Sequence, residues 1–100
     1  MKKDFIATYY IGLNDKDLKT QLLLTQEYMQ IIMKLIKEYT DIDAYTLDLV
    51  KGFYKGIAET TIKIMLANKV LPKYLIELIK KELNQECIME VITDCEIKFI

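Results

Sequence analysis

The chain has no arginine, histidine, tryptophan or serine, and each absence removes a class of chemistry. Without arginine there is no planar fork for bidentate recognition of guanine or phosphate. The 14 basic residues are all lysine, which acts only as a point charge. Without histidine no side chain ordinarily titrates near neutrality, and there is no imidazole metal ligand and no Cys-His or Ser-His pair. Cys87 and Cys95 are too few for a disulfide framework and form no C-x-x-C pair. They are expected to be reduced, half-buried strand residues of a cytosolic protein. Glu86, Asp94 and Glu96 are neighbours of the wrong sign to lower a thiol pKa. The three glycines make neither a P-loop nor G-x-G-x-x-G. The expectation is therefore no intrinsic enzymatic activity, no catalytic residue, no cofactor and no metal.

What is present is apolar and nearly neutral. Hydrophobic residues make up 52% of the 100 positions, and isoleucine alone occurs fifteen times. A single domain of this size buries only about two thirds of its unfolded surface. Part of the apolar surplus is expected to meet another chain, most simply in a homodimer. The charges sum to −1, so no net field draws the chain toward polyanions and direct nucleic-acid binding is not expected. The start, "MKKDFIATYYIGL", makes a poor leader, because Asp4 follows the lysines and Thr8, Tyr9 and Tyr10 interrupt the apolar run. No run reaches the length of roughly 18 apolar residues that a membrane span needs, which points to a cytoplasmic protein with no membrane partner. The excess of lysine, isoleucine and asparagine over arginine fits A+T-rich coding.

Periodicity places six elements. "FIATYYIGL" reads as a strand ended by Gly12 and "NDKD". A helix is expected from about Gln26 to Glu38 with Thr25 as N-cap and a core stripe of Met29, Ile32, Met33 and Ile36, its apolar arc widened by Tyr28, Ile31 and Leu35. "AYTLDLV" and "AETTIKIML" alternate as two strands of a hairpin bent around Gly52 to Gly56. Pro72 to about Leu83 is a second helix with Leu75, Leu78, Ile79 and Leu83 inward and Asn84 as its stop. "ECIMEVI" and "CEIKFI" read as closing strand, bent at "TD". The order β-α-β-β-α-β predicts an α+β, ferredoxin-like fold, an antiparallel sheet with two helices on one face, in one domain over 1-100. Its open face should carry Ile6, Tyr10, Val50, Met65, Ile88 and Ile92 among Thr8, Asp48, Lys63 and Glu90.

Three motifs invite a functional reading. "KGFYKG" begins like the aromatic platform of an RNA-recognition sheet, but only Lys51, Gly52 and Phe53 fit, and the motif falls at the end of the second strand rather than on the third. A hairpin bend is the expectation. "NDKD" offers alternating oxygens as a calcium loop does, yet Thr20 stands where glycine is required and Gln26 where glutamate is, so a solvated turn is expected. Asp41 and Asp43 lie in a polar turn with nothing nearby to raise a pKa.

"ATYYIGLNDKD" and "LIKKELNQECIMEV" resemble small proteins encoded by phages and prophages of low-G+C Gram-positive bacteria, over nearly the whole chain. The resemblance implies an accessory phage gene and brings no catalytic motif. It implies a non-enzymatic inhibitor that binds a bacterial protein, most simply a host defence component, as an anti-CRISPR or other anti-defence protein would. Its partner or ligand surface would include Tyr10, Lys51, Phe53, Tyr54 and Lys55, and the dimer edge Cys95, Ile97 and Phe99. The alternatives are a sponge for a small nucleotide signal at a dimer interface, using Tyr10, Tyr54, Lys51 and Lys55, or a structural or regulatory phage protein.

Overall fold

The computed structural model describes residues 3–100. Met1 and Lys2, which begin the segment weighed as a leader, lie outside them. The elements run β1 (Asp4–Gly12), α1 (Thr25–Tyr39), β2 (Thr46–Tyr54), β3 (Ile57–Ala67), α2 (Lys73–Glu82) and β4 (Met89–Cys95). The strands form one antiparallel sheet in the order β2-β3-β1-β4, the ferredoxin-like arrangement. Among the described residues no helix is long and apolar enough to cross a membrane.

The period-2 alternation decides which side of the sheet is covered. Ala7, Tyr9 and Ile11 of β1 and Ile62, Ile64 and Leu66 of β3 are buried in one cluster with Tyr28, Ile32 and Ile36 of α1 and Leu75 and Ile79 of α2. Both helices therefore cover the same face. On the other face the register sets Thr8, Tyr10 and Gly12 opposite Met65, Lys63 and Thr61.

The α1 stripe differs from the expected one by a residue. Tyr28 is buried and Met33 is 39% exposed. Burial of Tyr28 is fixed by its hydroxyl, which accepts the backbone N–H groups of Leu22 and Leu23. Leu24, not Thr25, is the N-cap; its N–H donates to Glu27 Oε2 at 3.1 Å, and the Thr25 hydroxyl instead accepts from Gln21 Nε2. At the far end of α2, Asn84 takes φ 49° and Gln85 N–H returns to the Lys80 carbonyl, a left-handed stop of the kind expected.

"GFYKG" is only in part a bend. Gly52, Phe53 and Tyr54 are the last residues of β2, paired with Glu59, Ala58 and Ile57. The turn itself is Lys55 and Gly56, both at positive φ, a two-residue hairpin loop. β4 also departs from expectation. It runs unbroken through Thr93 and Asp94, and residues 96–100 fall outside it. The proposed dimer edge is thus divided: Cys95 ends the outer strand, while Ile97 and Phe99 lie beyond it, with Ile97 N–H bound to Asp4 Oδ2. Pairing places Met89 and Val91 opposite Tyr10 and Thr8 on the open face, and puts Glu90 and Ile92 on the helix side, the reverse of the expected assignment; Ile88 precedes the strand and packs against the core. Cys87 is exposed and outside any strand.

Candidate functional site

The site forms at the end of the sheet where β1 and β2 finish and β3 and β4 begin. Two glycines on the strands either side of β3 make room for it. Gly12 pairs with Thr61, and Gly52 pairs with Glu59. A Cβ added at Gly12 would lie 2.2 Å from Glu59 Oε1, so the Glu59 side chain occupies the space that glycine leaves. At Gly52 a Cβ would stand 2.6 Å from Thr61 Oγ1. Glu59 is held there by the Asn14 N–H, which donates to Oε2 at 3.1 Å.

Above this floor is a hollow of about 340 Å³ walled by Tyr10, Phe53, Tyr54, Cys87 and Met89. That volume lies within the range of roughly 300–1,000 Å³ for small-ligand sites. Each aromatic wall already has a lysine ammonium near its ring: Lys63 at 5.9 Å from Tyr10, Lys51 at 5.9 Å from Phe53 and Lys55 at 5.4 Å from Tyr54. One face of each ring is thus already engaged by a cation.

A second, smaller hollow of about 60 Å³ adjoins it, and Tyr54, Glu59, Gln85 and Glu86 line both. Its outer rim is Asn14, Asp15 and Lys16 of "NDKD", a turn exposed at Lys16 and Asp17 as expected but anchored at Asp15. Asp15 is buried; its Oδ2 accepts the N–H groups of Asp17 and Leu18, and its Oδ1 accepts Asn84 Nδ2 at 2.7 Å. Gln85 Nε2 donates to the Asn14 carbonyl at 2.8 Å. These bonds, led by that from Asn84, hold the Asp15 carboxyl below its ordinary value.

At the shared wall the Tyr54 hydroxyl donates to Glu86 Oε2 at 3.0 Å, and Lys55 Nζ lies 3.4 Å from Glu86 Oε1. The Cys87 thiol, and after it Glu86, push the Tyr54 hydroxyl up to about 12, while Tyr54 and then Lys55 hold Glu86 below the usual carboxylate range. At neutral pH the wall presents a protonated phenol and an ionised carboxylate.

Of the expected surface residues, Tyr10, Lys51, Phe53 and Tyr54 line the larger hollow and Lys55 the smaller one. Glu59, Gly12, Thr61, Gln85 and Glu86 were not singled out by sequence. Asp41 and Asp43 are exposed and border a separate hollow beneath the end of α1. Among the described residues no cluster of acidic or thiol side chains could hold a metal ion.

The chain matches no protein-family model and no curated protein by sequence. Its fold is similar to that of a phage SAM lyase solved in complex with S-methyl-5'-thioadenosine: 17% identity, TM-score 0.68, covering 94% of this chain and 83% of that one. A phage SAM lyase in its apo state is similar at 19% identity and TM-score 0.66, covering 90% of this chain and 79% of that one. A small phage protein of this fold is thus an enzyme. This finding corrects the expectation of a non-enzymatic protein: a chain of this fold can be an enzyme, so the lack of a nucleophile-base pair does not by itself exclude catalysis.

Proposed function

We propose that the chain is a lyase acting on S-adenosylmethionine, releasing S-methyl-5'-thioadenosine. The observation that carries this reading is the 340 Å³ aromatic hollow with an acidic floor, set in the fold of the phage SAM lyases. Tyr10, Phe53 and Tyr54 offer π faces for the adenine and for the sulfonium cation, and the Glu59 carboxylate is an acceptor suited to ribose hydroxyls.

The chemistry suits a chain without histidine. The bond between sulfur and the γ-carbon breaks, sulfur keeps the electron pair, and the substrate's own carboxylate oxygen closes on that carbon to give a lactone. No water is added and no proton moves, so no general base is required. A positive sulfur and a negative oxygen neutralise each other on the way to the transition state, and removal from water into an apolar hollow favours that change. The protein's task is to fold the substrate's tail back and exclude solvent. Depletion of a methyl donor within the bacterial cytoplasm would interfere with host enzymes that depend on it, which keeps a role against host defence in this reading.

The test is incubation of purified protein with S-adenosylmethionine and mass-spectrometric detection of S-methyl-5'-thioadenosine and the four-carbon lactone. Release of both, lowered at least about tenfold by Tyr10→Ala or Glu59→Gln, is the expected result. Binding of S-methyl-5'-thioadenosine with no turnover of substrate would overturn it.

A further inference from the structure

The smaller hollow differs from the larger in both size and charge. At about 60 Å³ it has room for only a few waters, at roughly 10–15 Å³ each, so a nucleoside does not fit but a charged head group does. Around it stand three ammonium groups, Lys16, Lys19 and Lys55, and the carboxylates of Glu59 and Glu86. The third acid, Asp15, has its oxygens committed to Asn84, Asp17 and Leu18. Lys19 Nζ donates to the Lys16 carbonyl, and among the described residues the Lys16 ammonium has no acidic partner.

A simple anion would meet Glu59 and Glu86 as well as the lysines, and a simple cation the reverse. A zwitterion satisfies both. We infer that this hollow is the subsite for an α-amino acid head group, its ammonium toward Glu86, whose oxygens keep lone pairs beyond those given to Tyr54 and Lys55, and one carboxylate oxygen toward Lys16 and Lys19 with the other left to close on the γ-carbon. This rests on the lyase reading and deepens it: the nucleoside lies in the larger hollow, and the chain between the two groups folds back at the shared wall of Tyr54 and Gln85.

A consequence for turnover follows. Cleavage separates the head group from the nucleoside, so S-methyl-5'-thioadenosine is held by the larger hollow alone and leaves more easily than the substrate.

Calorimetric titration of the whole chain with two stable probes tests this. S-adenosylhomocysteine carries the head group but no sulfonium and is not cleaved; S-methyl-5'-thioadenosine lacks the head group. S-adenosylhomocysteine should bind at least about tenfold tighter, as expected for charge-assisted hydrogen bonds. The double variant Lys16→Gln with Lys19→Gln, both exposed positions, should erase that advantage while changing the affinity for S-methyl-5'-thioadenosine by less than about twofold. Equal affinities in the unsubstituted protein would overturn the inference while leaving the lyase reading intact, as would a variant that weakens both probes alike. Failure of S-adenosylhomocysteine alone to bind would overturn the inference, and failure of both probes would overturn the lyase reading with it.

Discussion

The Asn84 side-chain amide donates to the Asp15 carboxylate over 2.7 Å, across 69 residues of sequence. The bond joins the loop after β1 to the stop of α2, and the Asn84 carbonyl accepts the Lys16 N–H beside it. The segments "IGLNDKD" and "ELNQE" thus meet beside the smaller hollow, which Asn14, Asp15, Gln85 and Glu86 line.

This pairing gives the chain an acid-sensitive element. Asp15 binds its proton less readily in the folded chain than in the unfolded one, so its contribution to stability is complete above the ordinary value of 3.8 and is lost as pH falls through the lowered folded value. Glu86 acts in the same direction. Melting temperature measured against pH should fall on acidification, and Asp15→Asn should show a shallower fall from a lower starting point. An unchanged acid slope in the variant would assign the loss elsewhere.

Tyr9 predicts the opposite dependence at alkaline pH. Its buried hydroxyl donates to Glu90 Oε2 at 2.6 Å and accepts the Leu71 N–H at 2.9 Å, and burial first, then Glu90, pushes it up from 10.0 to about 12. The folded chain keeps this proton longer than the unfolded chain does. The associated stability is full below pH 10 and is lost as pH rises toward about 12. Tyr9→Phe orphans the Leu71 N–H and should cost about 1–3 kcal/mol in denaturant unfolding at neutral pH, with a weaker alkaline slope.

Gly12→Ala should leave the fold standing and disable the site. The added Cβ meets the carboxylate end of Glu59, a flexible side chain that can move but only by giving up the Asn14 N–H. A stability loss of about 1 kcal/mol, roughly 4–8 °C in melting temperature, is expected. Binding of S-methyl-5'-thioadenosine should fall much further than stability does. A variant that binds normally would show that Glu59 is not part of the floor.

The register of α1 is open to a simple comparison. Ile32 is fully buried and Met33 is 39% exposed. Ile32→Ala should cost about 2–5 kcal/mol in chemical denaturation, while Met33→Ala should cost well under half of that. Equal losses would return the stripe to the one expected from spacing.

The sequence by itself determined the element order, the fold and the buried faces of β1 and β3. Alternation such as Ile62, Ile64, Leu66 against Thr61, Lys63, Met65 is a local signal, and burial of one face allows only one register. Tyr10, Lys51, Phe53 and Tyr54 could be named as surface candidates because aromatic residues beside glycine and lysine are unusual in a strand. Tertiary structure alone decided the rest. In β4 the apolar residues Ile88, Met89, Val91 and Ile92 occupy both parities, so only pairing with β1 chose the face. Met33 lost its place to Tyr28 because a buried hydroxyl could satisfy two amides of the loop just before the helix, a gain that helical spacing does not contain. Glu59 became a floor only because Gly12 and Gly52, 40 positions apart in the chain, flank it across hydrogen-bonded strands. Cavities and charge clusters arise from such non-local pairings, whereas periodicity records only which side of its own element each residue faces.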